Sequence, residues 1–229
     1  MVLFATSQDL GAREKQDSVF DEGEDAIVES AREGLRAQAE ALVQMAQRLD
    51  GSFYDALELV LGCSGRVVVC GMGKSGHIGR KISATLTCTG TPSLFLHPGE
   101  ASHGDLGMVT RDDILLLISK SGETSELAWL LPHFQRLDVP IIAITANRRS
   151  AIARAATTVL DIALERELCP HDLVPTTSAV STLALGDALA MAAMKRKGFT
   201  AADVTRIHPG APTGAPSSRG GGNGNGQLR

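Results

Sequence analysis

Two glycine turns carry the residues best suited to chemistry. The stretch from Val67 to Gly76, VVVCGMGKSG, passes from β-branched apolar residues through glycines into a helical pattern. A buried parallel strand delivering an anion to a helix N-terminus has this form. Three readings fit locally. Gly71, Gly73 and Gly76 satisfy the dinucleotide pattern G-x-G-x-x-G; Gly73, Lys74 and Ser75 resemble the end of a nucleotide-triphosphate loop; Lys74 and Ser75 suit a sugar phosphate. The first requires a carboxylate closing the next strand, about 20 residues on. That strand closes Phe95-Leu96-His97, with no acid before Glu100. The second requires a glycine where Val68 stands, and a strand-end Asp suited to Mg²⁺ is missing. The third gains from the other turn. Ser119, Ser121, Thr124 and Ser125 place four hydroxyls within seven residues around Gly122, ahead of a helix. Hydroxyls and unpaired backbone N–H groups there can wrap a phosphate, although plain N-capping uses the same residue types. Glu123 would repel an anion from inside the turn, so it is expected to face solvent or the helix dipole.

The elements that must position these turns follow from periodicity. Helical spacing runs from Asp25 to Leu49 and from Ser52 to Leu61, two leading helices that could cover a sheet edge or form a subunit interface. Strands are expected at 66–70, 93–96, 113–118, 140–145 and 158–162, with helices at 76–88, 123–137, 150–156 and 178–197, the last ending at Gly198. Such alternation implies an α/β protein, a parallel sheet with helices on both faces, and ligands beyond the carboxyl ends of its strands. Those ends also deliver His97, His103, Thr145, Asn147, Glu165, Glu167 and His171. Residues 1–24 read as an acidic flexible arm, 25–210 as one domain, and 211–229 as a Gly-rich disordered tail.

Composition narrows the function classes. With 3% aromatic residues the core must rest on Ala, Val, Ile and Leu. A net charge of −4 gives no electrostatic case for nucleic acid. Cys63, Cys70, Cys88 and Cys169 form no C-x-x-C and read as reduced thiols. The N-terminus has no basic region ahead of Arg13 of the kind a signal leader carries, and no apolar run is expected to reach the roughly 18 residues of a membrane span. A soluble, cytoplasmic protein without membrane association is expected.

Five blocks, GMGKSGHIGRK, HPGEASHGDLGMV, ISKSGETSE, ELCPHDLVPTTS and HPG, resemble in order and spacing the arabinose 5-phosphate isomerases, a family built on the sugar isomerase (SIS) domain. The resemblance covers about residues 30–212. It implies a three-layer α/β/α sandwich, flavodoxin-like, with a five-stranded parallel sheet. It also implies a homotetramer whose neighbouring chains complete each site. The activity implied is interconversion of D-ribulose 5-phosphate and D-arabinose 5-phosphate through a cis-enediol, supplying KDO and lipopolysaccharide synthesis. By the same resemblance Lys74, His103, Glu126, Glu167 and His208 are catalytic positions. Ser75, Ser119, Ser121 and Thr124 bind phosphate, and His97 touches substrate and can hold zinc, with no cofactor required. Proton transfer between C1 and C2 needs a base, an acid and oxyanion stabilisation, which these residue types supply; which group is the base stays open. His77, His133 and His171 are expected to be structural.

Two departures stand out. The paired CBS regulatory domains common in the family are absent after HPG, so catalysis should survive without their regulation. Lys120 stands where a small polar residue is usual, and could meet the phosphate or water. The rival readings are another phosphosugar isomerase, for hexulose or heptose phosphates, and a non-catalytic sugar-phosphate sensor.

Overall fold

The structure, a computed structural model, describes residues 23–208. The expected tail and all but the last two residues of the expected arm lie outside them. Those two, Gly23 and Glu24, belong to the first helix instead: Gly23 is the N-cap and Glu24 and Asp25 place acid at the positive end of its dipole.

In chain order the elements are α1 (Glu24–Gln47), α2 (Gly51–Gly62), β1 (Val67–Gly71), α3 (Gly73–Cys88), β2 (Ser93–Leu96), α4 (Pro98–Ala101), β3 (Ile114–Ile118), α5 (Ser125–Leu137), β4 (Ile141–Thr145), α6 (Ala151–Ala155), β5 (Thr158–Asp161), α7 (Thr177–Arg196) and α8 (Ala201–Ile207). A 3₁₀ turn, Asp105–Met108, follows α4. Neither it nor α4 nor α8 shows an apolar period long enough to read. Local chemistry makes the two short helices: His97 Nδ1 caps α4 ahead of Pro98, and Thr200 and Asp203 form a reciprocal capping box on α8.

All five strands are parallel, in the order β2-β1-β3-β4-β5. Alternate residues supply the two faces. Val67, Val69, Leu116, Ile118, Ile142, Ile144 and Leu160 pack with α2, α3 and α7 through Val60, Ile82, Leu86 and Leu189. Val68, Cys70, Leu115, Leu117, Ile141 and Ala143 pack with α5 and α6 through Leu127, Leu130, Phe134 and Ile152. Burial on both sides explains the uninterrupted apolar runs. The result is the expected three-layer sandwich.

α7 corrects one sequence expectation. An 18-residue window within it has a mean hydropathy of 1.3, apolar enough for a bilayer span. Half of that window is buried in the domain, where Leu185, Leu189, Ala190 and Ala193 meet the core, so its composition is that of a core helix. α1 is different: Met45 is its one buried residue, while Ile27, Val28, Leu35 and Val43 are exposed.

Candidate functional site

Strand order reverses direction between β1 and β3, whose register pairs Gly71 with Ile118. A crevice beyond the carboxyl ends at such a switch point is where parallel sheets bind ligands. Both glycine turns open there. In the first, the glycines serve packing: a Cβ on Gly76 would sit 2.6 Å from the Gly71 carbonyl oxygen, so only glycine lets α3 approach β1. Met72 is the N-cap and provides no side-chain partner for the first N–H groups of α3. Exposed Lys74 and half-buried Ser75 lie in that first turn.

The second turn is not ordinary capping. Thr124 occupies the N-cap of α5, but its side chain makes no cap bond. Its hydroxyl lies 2.8 Å from buried Ser119 Oγ, which also accepts from the Gly122 amide at 3.0 Å. Ser121 Oγ accepts from the Glu123 amide at 3.2 Å and is exposed. The loop is tied down from beneath, since the Lys120 carbonyl accepts from Ala146 N at 3.0 Å and Thr145 Oγ1 at 3.2 Å. Gly122 has φ +68°, and a Cβ there would stand 1.9 Å from Ser150 Oγ, so the turn admits no side chain. Glu123 turns to a neighbouring helix, accepting from the Ala151 amide of α6 at 3.0 Å. The Glu123 charge is thereby turned away from the α5 N-terminus, leaving Glu126 as the acid of its first turn.

The two carboxylates expected in the site have opposite environments. Glu126, exposed in the first turn of α5, accepts from Ser125 Oγ at 2.9 Å. Its own backbone amide, Ser125 and the nearby His97 hold its pKa below the ordinary value. It borders a cleft of about 420 Å³ with Pro98, Gly99, Ser102 and Trp129. Glu167 is 1% exposed. It accepts from Lys120 Nζ at 2.8 Å, Thr176 N at 2.9 Å, Ser178 N at 3.0 Å, Thr176 Oγ1 at 3.3 Å and from Ser178 Oγ. Burial alone would raise its pKa, but Lys120 and the Ser178 and Thr176 donors hold it down at about 2. Lys120 therefore meets neither water alone nor the hydroxyl loop; it pairs with Glu167 across the crevice. A small cavity of about 30 Å³ opens there, lined by Lys74, Ser75, Lys120, Ser178 and Thr182.

The histidines are spread wider. His97 Nδ1 accepts from Gly99 N at 3.2 Å, which in the neutral ring leaves the proton on Nε2 as a donor. Its environment does not fit a zinc centre on this chain: among the described residues no three His, Cys, Asp or Glu side chains gather around a common point. His103 is exposed in the turn after α4. His208, the C-cap of α8, is not brought to the crevice. α7 begins beside Glu167 and, over 20 residues, runs about 30 Å. At its far end Lys197 Nζ bonds Thr91 Oγ1 at 2.9 Å, at the amino edge of the sheet. The seven residues of α8 could recover only about 10 Å of that length. There His208 Nδ1 lies 2.8 Å from the Val204 carbonyl, which can only accept, so Nδ1 carries the proton and Nε2 the lone pair. Pro209 and Gly210 lie outside the described residues. A cleft of about 570 Å³ near Cys63, Asp112 and Pro140 is at the amino ends of the strands and carries neither glycine turn.

A five-stranded parallel sheet with two glycine turns at its switch point, the second rich in hydroxyls, defines an α/β/α domain of the anion-binding kind. The chain belongs to the SIS domain family, whose model matches residues 60–192. It is 50% identical over 186 residues to arabinose 5-phosphate isomerase KdsD of Escherichia coli (strain K12), covering 81% of this chain and 57% of that protein. It is 49% identical over 188 residues to arabinose 5-phosphate isomerase KdsD of Pseudomonas aeruginosa, covering 82% and 58%. The chain thus spans little more than half the length of these curated relatives. Among solved structures, Escherichia coli CFT073 c3406 in complex with A5P superposes with a TM-score of 0.80 at 35% identity, over 82% of this chain and 100% of that one.

Proposed function

We propose that the protein is an aldose–ketose isomerase interconverting D-ribulose 5-phosphate and D-arabinose 5-phosphate. The observation that carries this is the switch-point crevice. Two helix N-termini without side-chain caps open there, one carrying Lys74 and Ser75 and the other the Ser119–Thr124 hydroxyls, a cradle for phosphate, and Glu126 lies in the first turn of the second. The names of its relatives at about half identity select the pentose phosphate.

The chemistry follows from the residues. The phosphate takes the N–H groups of α3 and α5 with Ser75, Ser119, Ser121 and Thr124. Glu126, its pKa held below the ordinary carboxylate value and its side chain exposed at the cleft, accepts the carbon-bound proton in this reading. His97, through Nε2–H, and His103 serve substrate oxygens in this reading, both following β2 in the chain. His208 Nε2 supplies a second base from a neighbouring chain, because its own chain holds it far from the crevice. The exposed apolar residues of α1 support assembly, which we assign as a homotetramer. The reaction would supply KDO and lipopolysaccharide synthesis in the cytoplasm.

Ribulose 5-phosphate in deuterated water tests this directly. Proton NMR should show deuterium entering at the carbon next to the carbonyl and arabinose 5-phosphate appearing. Folded protein that neither exchanges nor isomerises this substrate would refute the reading. A panel of pentose, hexose and heptose phosphates ranked by kcat/KM tests the choice of sugar.

A further inference from the structure

Lys120 belongs to the hydroxyl loop by backbone but leaves it by side chain. Its Nζ reaches across the crevice to Glu167 Oε1 at 2.8 Å. The pair is asymmetric: the Glu167 side chain is fully buried, whereas that of Lys120 remains 40% exposed. At the start of α7 the Thr176 and Ser178 amides donate to Glu167 Oε2 and the Ser178 hydroxyl donates to Oε1, so the carboxylate is held independently of the lysine. An ammonium has three N–H donors, and Glu167 occupies one. Lys120 also lines the small cavity shared by Lys74, Ser75, Ser178 and Thr182, which none of Ser119, Ser121 and Thr124 borders. The cation is therefore drawn off the phosphate-cradling hydroxyls and set beside Lys74.

Resting on the isomerase reading above, we propose that Lys120 is a catalytic cation for the enediolate oxyanion, and that Glu167 is a positioning residue that aims it. In the reaction a C–H bond beside the carbonyl breaks and the proton passes to the base. The electron pair left behind forms the C=C bond while the carbonyl π pair moves onto oxygen. The ammonium donates to that oxygen. The neighbouring hydroxyl then passes its proton to that oxyanion while the base returns the carbon proton to the former carbonyl carbon, restoring a carbonyl one position along with no change in composition. A donor charged and oriented in advance favours the oxyanion over the neutral carbonyl, which is what accelerates the step. Glu167, with both oxygens engaged, supplies orientation and does not accept the carbon proton.

The test uses the full chain with Lys120→Met, Lys120→Arg, Glu167→Gln and the double variant Lys120→Met/Glu167→Gln. Turnover of ribulose 5-phosphate gives kcat and KM, and calorimetry gives the affinity for inorganic phosphate. Lys120→Met is expected to lower kcat by about 100- to 1000-fold while KM and phosphate affinity stay within about threefold. Lys120→Arg should recover at least about tenfold of that loss. Glu167→Gln should lower kcat in the wild-type background, yet add less than about threefold to Lys120→Met, since it acts through the lysine. Unchanged kcat in Lys120→Met would overturn the proposal. So would a loss of phosphate affinity matching the loss of turnover, which would make Lys120 a phosphate ligand. Equal Glu167→Gln losses in both backgrounds would overturn the positioning role. Should Glu167→Gln not fold, the Lys120→Met comparison of kcat with phosphate affinity decides alone. A wild-type protein inactive on every phosphosugar would instead sink the isomerase reading itself.

Discussion

Replacing Lys74 with alanine in one population of chains and His208 with alanine in another creates two inactive proteins whose mixture is informative. Lys74 opens α3 at the carboxyl edge of the sheet, while α7 carries the chain about 30 Å toward the other edge before α8 and His208. A site that uses both groups must take them from different chains. In random assembly at equal ratio, half the sites draw Lys74 from an intact chain, and half of those face an intact His208. About one quarter of sites are then whole. The two variants would be co-expressed with different tags and purified on both, and turnover of ribulose 5-phosphate followed by NMR. The expected result is about one quarter of the wild-type activity per chain, against near-zero activity for either variant alone. If both groups came from one chain, no mixed assembly could contain a whole site. Doubly tagged protein that stays as inactive as its parents would refute the shared-site reasoning.

Glu167→Gln should also change acid stability. The Glu167 pKa is depressed from 4.5 to about 2, so its contribution is present above pH 4.5 and drains away as pH falls toward 2. Urea unfolding should show a loss on the order of 3 kcal/mol at neutral pH and a flatter acid limb than wild type; parallel limbs would refute this. Gly122→Ala forces a Cβ against Ser150 at φ +68°, and should cost about 1–3 kcal/mol and raise KM through the displaced hydroxyl loop. Wild-type KM and melting temperature together would count against it. Cys169, whose pKa is lowered by the Leu173, Val174 and His171 amides, should be the first thiol to react with a disulfide reagent. Cys70, buried and pushed up to about 12, should stay silent until unfolding, and early modification found there by mass spectrometry would contradict the burial.

Much of the scaffold was legible because fully buried parallel strands write themselves as unbroken apolar runs. All five expected strands occur, each end lying within a residue of the observed one. The glycine fingerprint was legible but ambiguous, since Gly76 answers to a backbone contact with Gly71 that any tight strand-to-helix turn needs. Three short elements escaped because none is long enough to show a period; caps make two of them, and Thr200 and Asp203 were the available signal for α8. The Lys120–Glu167 pair joins residues 47 apart and exists only because β3 and the N-terminus of α7 meet in space. No local pattern encodes that meeting. Nothing near Glu167 in the sequence signals its burial, because the amide and hydroxyl that receive it come from the start of α7, eleven residues on.

The cluster around Glu167 has a consequence for reading mutational scans. The same carboxylate that orients Lys120 also receives two amides at the start of α7, a helix packed through the core. A growth-based screen would score position 167 as intolerant for two unrelated reasons and could not apportion them. Position 120 is less entangled: its long side chain is 40% exposed and bonds no helix backbone, so losses there combine turnover with one stability effect, the lost counter-charge of Glu167, which a neutral carboxamide at 167 removes. Variant libraries aimed at altering the chemistry are therefore better seeded at 120, with 167 held constant as part of the frame.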